Sequence, residues 1–189
     1  MKKIIYIHGL GGSGNGSSAR NIKKALDGKC EFFAGTYDLL TPEKAFGQIK
    51  NDIQDKDIVI ASSLGAFYAA CLTECKTMLL LNPCLEPEKS ISKILYPEQR
   101  KDFDEAKCNG EWLELKKNWE KLDEEKKGLR FGVFSDKDEL FSFLDTFKKN
   151  FGMKSNLPNS AMISGTHEIA KDESQLSAAL ALFWEYNKE

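Results

Sequence analysis

Residues 58–67 read I-V-I-A-S-S-L-G-A-F. Ile58, Val59, Ile60 and Ala61 form a short apolar run rich in β-branched residues, the pattern of a buried strand. Leu64 to Cys75, L-G-A-F-Y-A-A-C-L-T-E-C, then reads as a helix. Only Ser62 and Ser63 separate the two, so the chain must turn sharply between them. A serine at such a turn is pushed out of both elements and exposed if the residues two before and two after it are small, because strand and helix then approach closely. Ser63 meets that condition through Ala61 and Gly65. The pattern is G-x-S-x-G, a nucleophile elbow, with alanine in place of its first glycine. Ser62 lies one residue off the apex. The competing reading is that both serines cap the helix.

Outward from this stretch, strands and helices alternate. K-I-I-Y-I-H-G at the N-terminus reads as a first strand. S-S-A-R-N-I-K-K-A-L-D-G follows as a helix, with Ile22, Ala25 and Leu26 on one face and Gly28 as its stop. E-F-F-A-G is a second strand. T-P-E-K-A-F-G-Q-I-K-N-D is a helix with Thr41 as N-cap and Pro42 in first position. After D-I-V-I-A-S, the third strand, T-M-L-L-L-N-P is a fourth, L-R-F-G-V-F-S a fifth and S-A-M-I-S-G a sixth. F-S-F-L-D-T-F-K-K-N-F-G is a helix between the last two. E-S-Q-L-S-A-A-L-A-L-F-W-E-Y closes the chain as a helix, with Leu176, Ala179, Leu180, Phe183 and Trp184 at helical spacing. Alternation of this kind predicts βαβ units, hence a parallel sheet covered on both faces. The exception is 85–128, which is charged and lacks a strong strand signal. It carries Trp112 and Trp119 and reads as two or three helices inserted between strands four and five, a helical insert or lid over the site. The two tryptophans either wall an acyl site or pack the insert onto the sheet.

The bulk properties leave one class standing. The chain has 189 residues, enough for a single domain spanning 1–189 with a sizeable core. Apolar residues make up 41% and charged residues 30%, the balance of a globular protein. The net charge of −2 gives no basic footprint for nucleic acid. No apolar run approaches a membrane span, and the N-terminus is too short in apolar residues for a signal peptide. A cytoplasmic location is the expectation. The five cysteines (Cys30, Cys71, Cys75, Cys84 and Cys108) are odd in number and scattered, which argues against a disulfide framework. Cys71 and Cys75 lack a nearby histidine, so no metal site is expected.

In a parallel sheet, ligands gather beyond the carboxyl ends of the strands. Those loops hold His8-Gly9-Leu10-Gly11-Gly12-Ser13, Ser62-Ser63, Asn82-Pro83, Ser135-Asp136-Lys137-Asp138-Glu139 and Gly165-Thr166-His167-Glu168. A serine on an elbow, then an acid, then a histidine is the chain order of an α/β-hydrolase triad. Ser63 is the nucleophile of this reading and His167 the base. Asp138 is favoured as the acid over Asp136, because hydrolases show a small residue, two spacers, then Asp and a short turn.

The first loop contains G-x-G-x-x-G in Gly9, Gly11 and Gly14, which also suggests a dinucleotide cradle. That motif needs a helix opening at the third glycine, and Gly16 delays the helix to about Ser17. It also needs an acid at the end of the second strand, where none stands. No cofactor is expected. In the hydrolase reading the loop supplies one N–H of an oxyanion hole, from Leu10, and the residue after the nucleophile, Leu64, supplies the other. His8 then anchors the loop by hydrogen bonding.

Y-I-H-G-L-G-G-S, S-S-L-G-A-F-Y-A, L-L-N-P-C-L-E-P, D-K-D-E-L-F and S-G-T-H-E occur in order and at fitting separations. Together they resemble the small YqiA/YcfP-type esterases of the α/β-hydrolase superfamily, over most of the chain except 86–128. The resemblance implies a minimal three-layer α/β/α fold with six parallel strands in the order 2-1-3-4-5-6. It implies hydrolysis of short acyl esters through Ser63, Asp138 and His167, without cofactor or metal. The chain departs from the pattern at Ala61 and at Ala66, where a second glycine is usual. Some members of this wider group lack the nucleophile. A thioesterase or amidase with the same triad, or a non-catalytic binding protein on the same fold, are the alternative readings.

Overall fold

A computed structural model of the chain describes residues 1–153 and 158–188. Its centre is one six-stranded parallel sheet with the strand order β2-β1-β3-β4-β5-β6. The strands are β1 (Lys2–Ile7), β2 (Cys30–Ala34), β3 (Ile58–Ser62), β4 (Thr77–Leu81), β5 (Arg130–Ser135) and β6 (Ser160–Ile163). The order is the one expected, and the six strands fall on the six apolar runs.

Each central strand is apolar on both faces because each face has its own core. Ile5 and Ile7 of β1, Val59 and Ala61 of β3, and Met78 and Leu80 of β4 point to one side. Ile4 and Tyr6, Ile58 and Ile60, and Leu79 and Leu81 point to the other. The period of two along each strand divides one apolar run between two layers.

The second layer is closed by α1 (Ser17–Ala25) and α9 (Glu173–Tyr186). In α1 the buried residues are Ala19 and Ile22, with Leu26 just past the end. Ala25, expected on the apolar face, is exposed, because the helix ends there. Gly28 takes a φ of +69° and turns the chain back, as a C-terminal glycine does. In α9, Leu176, Ala179, Leu180 and Phe183 are buried at the predicted spacing.

The first layer holds α2 (Pro42–Asp52), α3 (Ser63–Ala70) and α8 (Leu144–Phe151). Helix α3 is buried from Leu64 to Ala70, which explains why it is apolar all round. It ends at Ala70, earlier than Cys75. The guanidinium of Arg130, itself fully buried, donates to the carbonyls of Ala70 and Leu72 and so caps this helix. Thr41 does not cap α2 as expected: its hydroxyl donates backward to the Asp38 carbonyl at 2.8 Å. Helix α8 starts at Leu144 rather than Phe141. The Asp138 carboxylate accepts the N–H groups of Leu140 and Phe141 and holds them in a turn.

Between β4 and β5 the chain forms more and shorter helices than the two or three expected. They are α4 (Pro87–Ile94), α5 (Pro97–Arg100), α6 (Glu105–Lys116) and α7 (Glu124–Gly128), with a 3-10 turn over Lys117–Lys121. Pro87 and Pro97 each stand at a first helical turn and cut the segment into pieces. Trp112 on α6 is fully buried, and its indole N–H donates to the Tyr68 hydroxyl at 3.0 Å. That hydroxyl in turn donates to the Leu39 carbonyl at 2.7 Å. Trp119 lies edge-on to Phe67 and Phe151. Both tryptophans therefore pack this segment onto the sheet layer. No helix among the described residues is long and apolar enough to cross a membrane.

Candidate active site

The register of the sheet brings the strand ends together: Ile7 pairs with Ala61, Ser62 with Leu81, and Ser135 with Ile163. The loops that follow β1, β3, β4, β5 and β6 thus meet on one edge.

Ser63 is the first residue of α3 and has a φ of +51°. A non-glycine residue rarely adopts this conformation, and it costs about 1–3 kcal/mol where surroundings impose it. The imposing contact is the neighbouring loop. A Cβ on Gly65 would lie 2.1 Å from the His8 carbonyl oxygen, and one on Gly9 would lie 3.1 Å from the Ser63 Cβ. Only glycine at position 65 allows this approach. Ala61 in the place of the usual first glycine is fully buried and tolerated.

His167 Nε2 lies 2.9 Å from Ser63 Oγ, and its Nδ1 lies 2.8 Å from Asp138 Oδ2. The side chains of His167 and Asp138 are only 8% and 2% exposed, so water competes little for their hydrogen bond. Burial pushes the Asp138 carboxyl up. The His167 hydrogen bond, its nearby charge and the N–H groups of Phe141 and Leu140 pull it down further, and the net position is below the usual carboxylate value. An ionised Asp138 accepts a proton carried on His167 Nδ1, which turns Nε2 toward Ser63 Oγ. Asp136, the alternative acid, faces elsewhere: its Oδ1 accepts from the Gly165 N–H at 3.0 Å.

Ser62 points away from this line of residues, and its Oγ accepts from the Tyr6 hydroxyl at 3.1 Å. The glycine loop after β1 contains a tight turn, in which Gly12 N–H donates to the Gly9 carbonyl at 3.0 Å. Gly11 inside it has a φ of +72°, as the third position of a type II turn requires. His8 anchors the loop: its Nδ1 is 2.7 Å from the Gly9 carbonyl oxygen, and its Nε2 accepts from Tyr37 N–H at 3.0 Å. Burial holds its pKa below the ordinary histidine value. Gly14, third glycine of the apparent dinucleotide motif, presses on β2 instead: a Cβ there would lie 2.2 Å from the Ala34 carbonyl oxygen. Helix α1 opens only at Ser17.

Leu10 lines the pocket at this edge, and Leu64 is the second residue of α3. A second helical residue has no intrahelical acceptor for its N–H. Among the described residues no backbone acceptor outside helices and strands takes the N–H of either leucine. The pocket has a volume of about 380 Å³, the size range of small-ligand sites. Ser63, His167 and Leu10 lie on it, together with Tyr6, Ile94 and Tyr96. Of the segment between β4 and β5, only Ile94, Tyr96 and Gln99 reach it; Trp112 and Trp119 do not. Among the described residues no group of three or more His, Cys, Asp or Glu side chains is placed to hold a metal ion.

Three further side chains surround the histidine. Phe141 sets its ring edge-on to the His167 imidazole, with centroids 4.8 Å apart. The Glu139 carboxylate accepts the His167 N–H at 3.1 Å. Asn82, at the end of β4, donates to the His167 carbonyl at 3.0 Å. The sequence marked Asn82 and Glu139 only by their place after a strand, and nothing in it pointed Phe141 at the histidine.

A six-stranded parallel sheet in this order, with a strained serine after β3, an aspartate after β5 and a histidine after β6, defines the α/β-hydrolase fold. Solved structures agree at the level of fold. Alpha/beta hydrolase domain-containing protein 10 from mouse superposes with a TM-score of 0.59, over 97% of this chain and 88% of that one, at 14% identity. The chain also superposes on a structure from a study of carboxylesterases of the thaumarchaeon Nitrososphaera gargenis, with a TM-score of 0.58, over 99% and 91%, at 11% identity. The capsule O-acetyltransferase of Neisseria meningitidis serogroup A gives 0.65, over 98% and 86%, at 16% identity. No curated protein matches the chain by sequence. Residues 3–183 match the uncharacterised protein family UPF0227, and the chain belongs to that family.

Proposed function

We propose that this protein is a serine hydrolase that cleaves short-chain carboxylic esters. One observation carries the reading: Asp138, His167 and Ser63 are joined by hydrogen bonds of 2.8 and 2.9 Å beside a pocket of about 380 Å³. In this reading His167 Nε2 takes the Ser63 proton as Oγ attacks the acyl carbon. The imidazolium that forms is stabilised by Asp138. The N–H groups of Leu10 and Leu64 receive the oxyanion, and each such donor is worth about 10²–10³ in rate. His167 then protonates the leaving alcohol. Water, activated by the same imidazole, hydrolyses the acyl-enzyme. The volume of the pocket and the exclusion of Trp112 and Trp119 from it support a small acyl group over a long one.

The test combines labelling with turnover. A fluorophosphonate should modify Ser63, located by mass spectrometry of the labelled peptide, and p-nitrophenyl acetate should give a burst. Ser63→Ala should lose both. Wild-type protein that takes no label would point to the non-catalytic alternative. A panel of esters, thioesters and amides separates the remaining readings, and the ester should give the highest kcat/KM.

A further inference from the structure

Asn82 is one of two non-glycine residues with positive φ among the described residues; the other is Ser63. Both stand at the carboxyl ends of adjacent strands. Asn82 is only 3% exposed and carries a φ of +40°. Its backbone turn sends the side chain across the end of β5. There Oδ1 accepts the Ser135 N–H at 2.8 Å, and Nδ2 donates to Ser135 Oγ at 2.9 Å. Nδ2 also reaches the Thr166 and His167 carbonyls at 3.2 and 3.0 Å. One side chain thus ties the end of β4 to the end of β5 and to the loop after β6. Two residues on, the Cys84 N–H donates to the Ser63 carbonyl at 3.1 Å.

We infer that the segment Asn82–Cys84 is a bracket that sets the distance between Ser63 and His167, and that Asn82 is the positioning residue of the base. The inference rests on the esterase reading above for its kinetic consequence, not for its geometry. The other side-chain bonds to the main chain of the histidine loop come from Asp136, Glu139 and Gln175, through contacts open to solvent. Beside them run backbone bonds from Lys137 N–H to the Gly165 carbonyl at 3.0 Å and from Ile169 N–H to the His167 carbonyl at 3.1 Å. Water can replace the exposed side-chain contacts. It cannot readily replace a bond made by a buried amide, so among the side-chain ties this tether is the one that holds the His167 main chain most firmly. Asn82 touches no reacting atom. It acts through the main chain of His167, whose imidazole must meet Asp138 and Ser63 at once. A displacement of about 1 Å at such a site can cost about 10²-fold in rate.

The test uses Asn82→Gly, which accepts the positive φ, and Asn82→Ser, with Ser135→Ala as a control that removes one arm and leaves the bond to His167. Both Asn82 variants should lower kcat by about 10²-fold with KM changed less than about threefold, while Ser135→Ala stays within about threefold of wild type. With only two histidines in the chain, a spectrum of ¹⁵N-histidine-labelled protein resolves them separately. The His167 ring signals should shift or broaden in the Asn82 variants, and those of His8 should stay. Unchanged His167 signals, or a kcat within about threefold of wild type, would overturn the inference. Equal change at His8 would do the same, since it marks a general loosening. If neither variant folds, exchange of the Asn82 side-chain amide protons in wild-type protein decides: slow exchange supports the tether, and exchange as fast as that of exposed Asn51 refutes it. Failure of the esterase reading shows separately, as wild-type protein that takes no phosphonate label.

Discussion

Gly65 and His8 are in backbone contact: a single methyl group on Gly65 would come within 2.1 Å of the His8 carbonyl oxygen. This contact joins the serine turn to the glycine loop, and it makes a clean comparison possible. Gly65→Ala should destabilise by about 1–3 kcal/mol or more, as overpacking against immobile backbone does. Gly47 lies within α2 with open space around it. Gly47→Ala should stabilise by about 0.5–1 kcal/mol through helix propensity. Urea denaturation of the two variants reads both signs.

The strain at Ser63 predicts opposite effects on stability and turnover. With φ at +51°, glycine fits this position better than alanine. Ser63→Gly should be more stable than Ser63→Ala by about 1 kcal/mol, and neither should hydrolyse ester. Comparing the two variants cancels the lost contact with His167. Equal melting temperatures would mean that the turn stores no strain.

The two aspartates after β5 should separate by rate. Asp138→Asn keeps the shape of the side chain but no longer fixes the histidine tautomer, and kcat should fall by about 10⁴-fold. Asp136→Asn weakens one exposed tie to Gly165, and kcat/KM should remain within about tenfold of wild type. Steady-state kinetics on p-nitrophenyl acetate decides.

His8 predicts a dependence of stability on pH. Its folded pKa lies below the ordinary value of about 6.5, because burial disfavours the cation by more than the Gly9 carbonyl beside Nδ1 favours it. Its full contribution is present above about pH 6.5 and is lost as pH falls through the folded pKa, since the unfolded chain then binds the extra proton. His8→Gln cannot titrate. The gap in Tm between wild type and His8→Gln should therefore narrow from about pH 7.5 to about pH 5. A gap independent of pH would rule out a neutral, buried His8.

Trp112 should behave as a core residue. Trp112→Ala removes a fully buried indole and its bond to Tyr68, and should cost about 3–5 kcal/mol. Preference among acetate, butyrate and octanoate esters should not change at a temperature where the variant is folded. A shifted preference would restore Trp112 to the acyl site.

The sheet was readable because each strand is an apolar run with its own punctuation, as in I-V-I-A before Ser62 and M-L-L-L before Asn82. The candidate site was readable in so far as Ser63, Asp138 and His167 are chemically distinctive types at strand ends. The choice between Asp138 and Asp136 was not closed by spacing alone; it needed the 2.8 Å contact to His167. Thr41 failed as a cap because Asp38 offers a carbonyl that no pattern reveals. The start of α8 was missed because the Asp138 turn consumes Leu140 and Phe141, a tertiary demand that overrides an apolar helical spacing. Pro87 and Pro97 stand at the breaks in the helical segment, and charge on every side hid the faces between them. Asn82 was invisible for a deeper reason. Its meaning arises where β4, β5 and the histidine loop converge, and no one of them encodes it.

β6 has four residues and a single neighbour, β5. The base proposed here hangs from this outermost strand, whereas the nucleophile is seated on β3 in the middle of the sheet. Heat frays edges before centres. The two groups should therefore part company while most of the core is still intact, and the rate of phosphonate labelling should fall at a lower temperature than the far-ultraviolet dichroism. The working range of such a molecule is set by its hem, and a stitch between β5 and β6 would lengthen its service life more than any improvement to the interior.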